Sequence, residues 1–92
     1  MSRVVSASLF GISEWVRRNK GRLARIEYGE PGRMTVTAWF HVVRGEMLDE
    51  LDSRLAPHWV VEKWDAVARS KPEIYSFWPL VELAVTLKRP GV

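Results

Sequence analysis

The chain has 92 residues, 47% hydrophobic and 27% charged, with a formal net charge of +3; that balance supports a single domain, 1–92, around a modest core and weighs against a disordered, collagen-like or low-complexity chain. It contains no cysteine, so disulfides, thiolate nucleophiles, iron–sulfur clusters and cysteine-ligated zinc are ruled out by chemistry. The longest uncharged runs, 4–13 and 34–43, span ten residues each against roughly 20 for a bilayer-crossing helix, and Glu14 follows the first too closely for an export leader; no membrane partner and a cytoplasmic location are expected.

In chain order, "RVVSASLF" (3–10) sets Val5, Ala7 and Leu9 against Ser6 and Ser8 at period two and predicts a strand. From Ile12 the spacing changes: Ile12, Trp15 and Val16 stand at i, i+3 and i+4, which predicts a short helix with Ser13 as a cap and Asn19 and Gly21 as stop signals. "RLARIEY", "GEPG" and "RMTVTAWFHVV" then form a β-hairpin around a turn rich in glycine and proline. Its second arm has one wholly apolar face, Met34, Val36, Ala38, Phe40 and Val42, opposed by Thr35, Thr37, Trp39 and His41. For Ile26 and Tyr28 to share the apolar face, paired residue numbers must sum to an even value, which favours an odd loop such as Gly29 to Arg33.

"GEMLDELDSRL" reads as a helix, with Leu48, Leu51 and Leu55 on one stripe, acids in its first turns and Pro57 as its stop. In residues 58–69, "HWVVEKWDAVAR", Val60, Trp64 and Val67 match a helix, yet "HWVV" directly after a helix stop also suits a strand entering the sheet; the segment is read as strand at first and then loop. "LVELAVTLK" is a half-buried strand, alternating Val81, Leu83, Val85 and Leu87 with Glu82, Thr86 and Lys88. The order strand, helix, hairpin, helix, strand predicts an α+β domain of the ferredoxin-like split βαβ type (β-α-β-β-α-β), with room for an extra C-terminal strand. That architecture hosts many unrelated activities, so function must be sought in particular residues.

Charge is uneven along the chain. Residues 1–33 hold seven Lys and Arg against three acids, and residues 34–92 hold seven against eight. Arg17, Arg18, Lys20, Arg22 and Arg25 gather where the first helix ends, and two readings stand open: a solvated end complementing the helix dipole, or a patch that neutralises phosphates. An RNA-recognition domain of this topology carries a glycine-rich aromatic motif on its third strand, which "RMTVTAWFHVV" lacks. Trp39 and His41 still project opposite the predicted core face, where base stacking or cover by another subunit would engage them.

Five tryptophans are many for so small a domain; each ring hides ~150–250 Å2 on burial, roughly 4–6 kcal/mol as an upper bound. "EIYSFWPL" groups Tyr75, Phe77 and Trp78 ahead of the last strand, as a lid on the core or as an anchor patch for a partner. Glu46, Asp49, Glu50 and Asp52 read as a solvated helix face, and their spacing to His41 and His58 matches no metal-ligand set. No phosphate loop, dinucleotide fingerprint or nucleophile elbow is present.

These features predict no enzyme: no catalytic residue, cofactor or metal is expected. The expectation is a non-enzymatic interaction module that docks on a protein or nucleoprotein partner through Arg17, Arg18, Lys20, Arg22, Arg25, Trp39, Tyr75, Phe77 and Trp78. An accessory or inhibitory protein of a bacterium or its phage fits a short chain without motifs, though no residue points there. The alternatives are a nucleic-acid-binding domain that sets the basic cluster on the phosphate backbone, and a structural subunit of a homo-oligomer whose tryptophans are covered by copies of itself. All three share one premise, that the interior cannot shelter every ring.

Overall fold

The computed structural model describes residues 3–68 and 81–91, with side chains from Ser8 onward. Two helices, α1 (Arg3–Arg18) and α2 (Gly45–Leu55), and four strands, β1 (Arg22–Glu27), β2 (Arg33–Phe40), β3 (Val60–Ala68) and β4 (Val81–Lys88), make an α+β fold. The sheet is antiparallel throughout, in the order β1-β2-β4-β3.

The strand predicted over residues 3–10 is instead the first half of α1. Ser8, Ile12, Trp15 and Val16 are buried while Phe10, Ser13 and Arg17 are exposed, so one 3.6-residue stripe runs through the segment. Once that stripe packs, each further residue adds a hydrogen bond without a new nucleus, and the helix extends back past the short period-two pattern. At Gly11 α1 runs close to α2, where a Cβ would stand 3.3 Å from the Leu55 side chain.

The end of α1 follows the predicted stop signals with one change of role. Lys20 N–H donates to the Arg17 carbonyl at 3.0 Å and Gly21 N–H to the Val16 carbonyl at 2.9 Å, the two bonds of a Schellman motif. The left-handed residue is Lys20, with φ of 58°. Gly21 has a steric task instead: a Cβ there would lie 2.5–2.6 Å from the Phe40 ring and the Trp39 carbonyl oxygen.

β1 and β2 pair with Ile26 opposite Val36 and Glu27 opposite Thr35, the predicted even-sum register, until an irregularity between Leu23 and Arg25 shifts it. Met34, Val36, Ala38 and Phe40 are buried as predicted. Val42 and Tyr28 are not: both are more than half exposed, because each lies past the end of its strand and no longer follows the pleat.

α2 occupies the predicted "GEMLDELDSRL", burying Met47, Leu48, Leu51 and Leu55. The Asp52 carboxylate accepts the Val61 N–H at 2.9 Å and ties the helix to the start of β3. Residues 60–68 are strand throughout, without the loop expected in their second half.

β2, α2 and β3 form a split βαβ unit, with β4 inserted between the two outer strands and antiparallel to both. The layout is compatible with a ferredoxin-like split fold. The central position expected for an N-terminal strand is held by β4, so the observed chain order is α-β-β-α-β-β, a circular permutation of the predicted one.

The core joins Ile12, Trp15 and Val16 of α1, the buried residues of α2, Met34 to Phe40 of β2, and Leu83, Val85 and Leu87 of β4. Both helices therefore cover one sheet face. Trp15 meets Phe40 edge to face at 5.2 Å and donates its Nε1–H to the Met47 carbonyl at 2.7 Å, which pins α1 to the start of α2.

Candidate docking groove

At one end of the sheet the α1 terminus and the β2–α2 connection face each other across an open groove of about 540 Å3. Arg18, Asn19 and Lys20 line one side; His41, Val42 and Arg44 come from the connection, and Glu46, Met47 and Glu50 from the first turns of α2. The sequence dictates these placements locally. The Schellman turn throws Lys20 outward, and the chain must leave the sheet after Phe40 to reach the start of α2 at Gly45.

The lining alternates in sign. Arg18, Lys20 and Arg44 stand against Glu46 and Glu50, with the exposed Val42 side chain among them. Glu50 is partly engaged, accepting from Asn19 Nδ2 at 3.4 Å and from Arg54 Nε at 3.4 Å. Asn19 Nδ2 is also held by the Trp15 carbonyl at 2.8 Å. Met47 anchors the wall: its N–H donates to the Arg44 carbonyl at 3.0 Å and its Sδ accepts the Arg44 N–H at 3.4 Å. Among the described residues Arg18, Lys20 and Arg44 form no ion pair.

The predicted basic cluster is thus divided. Arg17 turns back on Glu14 at 2.6 Å, and Arg25 on Glu27 at 2.9 Å. The hydrogen bond from Arg17 holds the Glu14 carboxyl below its ordinary range; the charges of Arg17, Arg54 and Arg18 add to this, while partial desolvation opposes it. Arg22 pairs in register with Trp39 on the sheet face away from the helices. Only Arg18 and Lys20 enter the groove. Tyr75, Phe77 and Trp78 lie outside the described residues.

The sheet face away from the helices is the second surface, and Thr37 is buried on it. By register it carries Arg22, Arg25 and Glu27 of β1, Thr35, Thr37 and Trp39 of β2, and Glu82, Ala84 and Thr86 of β4. Trp39 is half-buried there and is the only aromatic ring the register places on that face among the described residues. Arg33 reaches across β4 to Glu62 of β3 with two bonds, Nε at 3.1 Å and Nη2 at 3.2 Å, and also binds Glu30 at 2.6 Å. The hydrogen bonds and charge of Glu62 raise the Arg33 pKa, and those of Arg33 lower that of Glu62. Of the other indoles, Trp15 and Trp59 are buried and Trp64 is 47% exposed.

Arg44 was not singled out from the sequence and Val42 was assigned to the buried face of β2, because "HVVR" continues the alternation of β2 and reads as more strand. The usable signal is the short distance between Phe40 and the helix start, which forces a turn there. Among the described residues no cluster of three or more His, Asp or Glu is placed to hold a metal, and no helix is long and apolar enough to cross a membrane. No family model, curated protein or solved structure matches the chain.

Proposed function

We propose that the chain is a non-enzymatic protein-docking module and that the groove between α1 and α2 receives its partner. The observation that carries this reading is the alternating lining: Arg18, Lys20 and Arg44 set against Glu46 and Glu50, beside the exposed Val42. A phosphate backbone is best met by cations of one sign, and two carboxylates in the wall repel it. A protein surface offers both signs and an apolar contact, so it complements such a groove. Arg17 and Arg25, which a polyanion would recruit, are instead paired with acids of their own chain. A module that works by occupying a partner's surface behaves as an accessory or inhibitory protein.

The test is capture from the native host by the tagged chain, with and without nuclease, followed by mass spectrometry. The expected result is a protein partner retained after nuclease treatment and lost with Arg18→Glu/Arg44→Glu, while the far-UV circular dichroism is unchanged. Tight binding of generic DNA or RNA at low salt, weakening steeply as salt rises, would replace this reading with the nucleic-acid one.

A further inference from the structure

β3 closes one side of the sheet, and among the described residues no strand pairs with its outer edge. An uncovered edge presents a row of unpaired backbone donors and acceptors, and this one runs nine residues against six for the opposite edge, β1. It also exposes apolar side chains on both faces. Trp64, opposite Val85 on the helix side, is 47% exposed, and Val67, opposite Glu82 on the other side, is 40% exposed.

We propose that the outer edge of β3 pairs with β3 of a second copy of this chain, about a two-fold axis through Trp64, to make a continuous eight-stranded antiparallel sheet. This surface is separate from the groove and does not depend on it. The argument rests on charge. In that register Lys63 stands opposite Asp65 of the second copy and Asp65 opposite its Lys63, all four on the face away from the helices, where the β4 register places Lys63 and Asp65. Neither makes an ion pair among the described residues. The two Trp64 rings meet across the axis on the helix side.

The pairing between β3 and β4 already skips Glu62, which is tied to Arg33. Skipping it again sets Ala66 opposite Val61 and Val67 opposite Val60, so like faces meet along the whole edge. Lys and Asp on an edge strand discourage pairing with arbitrary strands; here they are complementary to themselves in one register and select it. β1 carries a comparable Arg25-Ile26-Glu27 alternation, but it is only six residues long and its Arg25 and Glu27 already bind each other at 2.9 Å.

The test is light scattering on size-exclusion fractions and sedimentation of the full chain across a concentration series. Wild type is expected to dimerise. Lys63→Asp alone or Asp65→Lys alone places like charges opposite each other twice and should raise the dimer dissociation constant about tenfold or more, with circular dichroism reporting an unchanged fold. Lys63→Asp/Asp65→Lys exchanges the charges and should restore the dimer. A wild type that stays monomeric at every concentration, a dimer indifferent to either single change, or a double variant no better than the singles would overturn the proposal.

Discussion

At the scale of single residues, the turn after α1 separates two duties often combined in one glycine. Lys20 holds the left-handed conformation and Gly21 the close approach. A residue with a Cβ at positive φ costs about 1–2 kcal/mol, partly offset by the entropy glycine loses on folding. Lys20→Gly is therefore expected to raise stability in urea by roughly 0.5–1 kcal/mol, while Gly21→Ala, which drives a methyl into Phe40 and the Trp39 carbonyl, should lower it by about 1–3 kcal/mol. The two buried indoles differ in the same instructive way. Trp15 gives its N–H to Met47, whereas Trp59 Nε1 is buried without a partner among the described residues, beneath Arg89, whose guanidinium lies 5.7 Å from the ring centre. Replacing each by Phe removes similar volume, but only the first loses a made hydrogen bond, the second one accepted by the Met47 carbonyl beside its own helix bond. Trp15→Phe should cost about 0.5–1.5 kcal/mol more than Trp59→Phe in denaturant unfolding.

At the scale of elements, the outer strands β2 and β3 of the split unit are linked across β4 by the ion pair between Arg33 and Glu62, and within α1 Arg17 holds Glu14. Both carboxyls sit below their ordinary value of 4.5 when folded. A group whose folded pKa is depressed contributes stability that is present above its unfolded pKa and lost as pH falls through the folded one. Urea midpoints should accordingly hold steady near neutrality and fall below about pH 4.5. Glu62→Gln should flatten part of that acid limb and leave the neutral midpoint slightly lower, since both groups are solvent-exposed and screened. An acid limb unaltered by Glu62→Gln and Glu14→Gln together would show that neither pair contributes.

At the scale of the whole molecule, stability is expected to be graded across the sheet. β2 and β4 are paired on both sides and hold most of the buried strand residues, whereas five of the six β1 residues are exposed. Hydrogen exchange should be slowest in β2 and β4 and fastest in β1; equal protection in β1 would mean that its edge is covered. The same gradient explains what could be read in advance. α2 was legible because Leu48, Leu51 and Leu55 repeat at helical spacing ahead of Pro57, and β2 and β4 because central strands with one buried face alternate cleanly. β3 was only half legible: an edge strand exposed along most of its length need not alternate, and Val60, Trp64 and Val67 also match a helical spacing. The groove was the least legible, since Arg18 and Lys20 meet Arg44 and Val42 only where two chain turns converge.

The local pattern of side chains by itself determined the α+β class, the hairpin and its register next to the turn, α2 to its ends, and the apolar faces of β2 and β4, because these follow from period, turn chemistry and caps within a few residues. Tertiary structure decided the rest. Residues 3–10 carry a weak strand pattern, but the helical stripe formed by Ser8, Ile12, Trp15 and Val16 is buried, and α1 extends back from it to Arg3. Burial across distant segments outweighs an eight-residue preference, and the same long-range packing gathers the cations and acids of the groove.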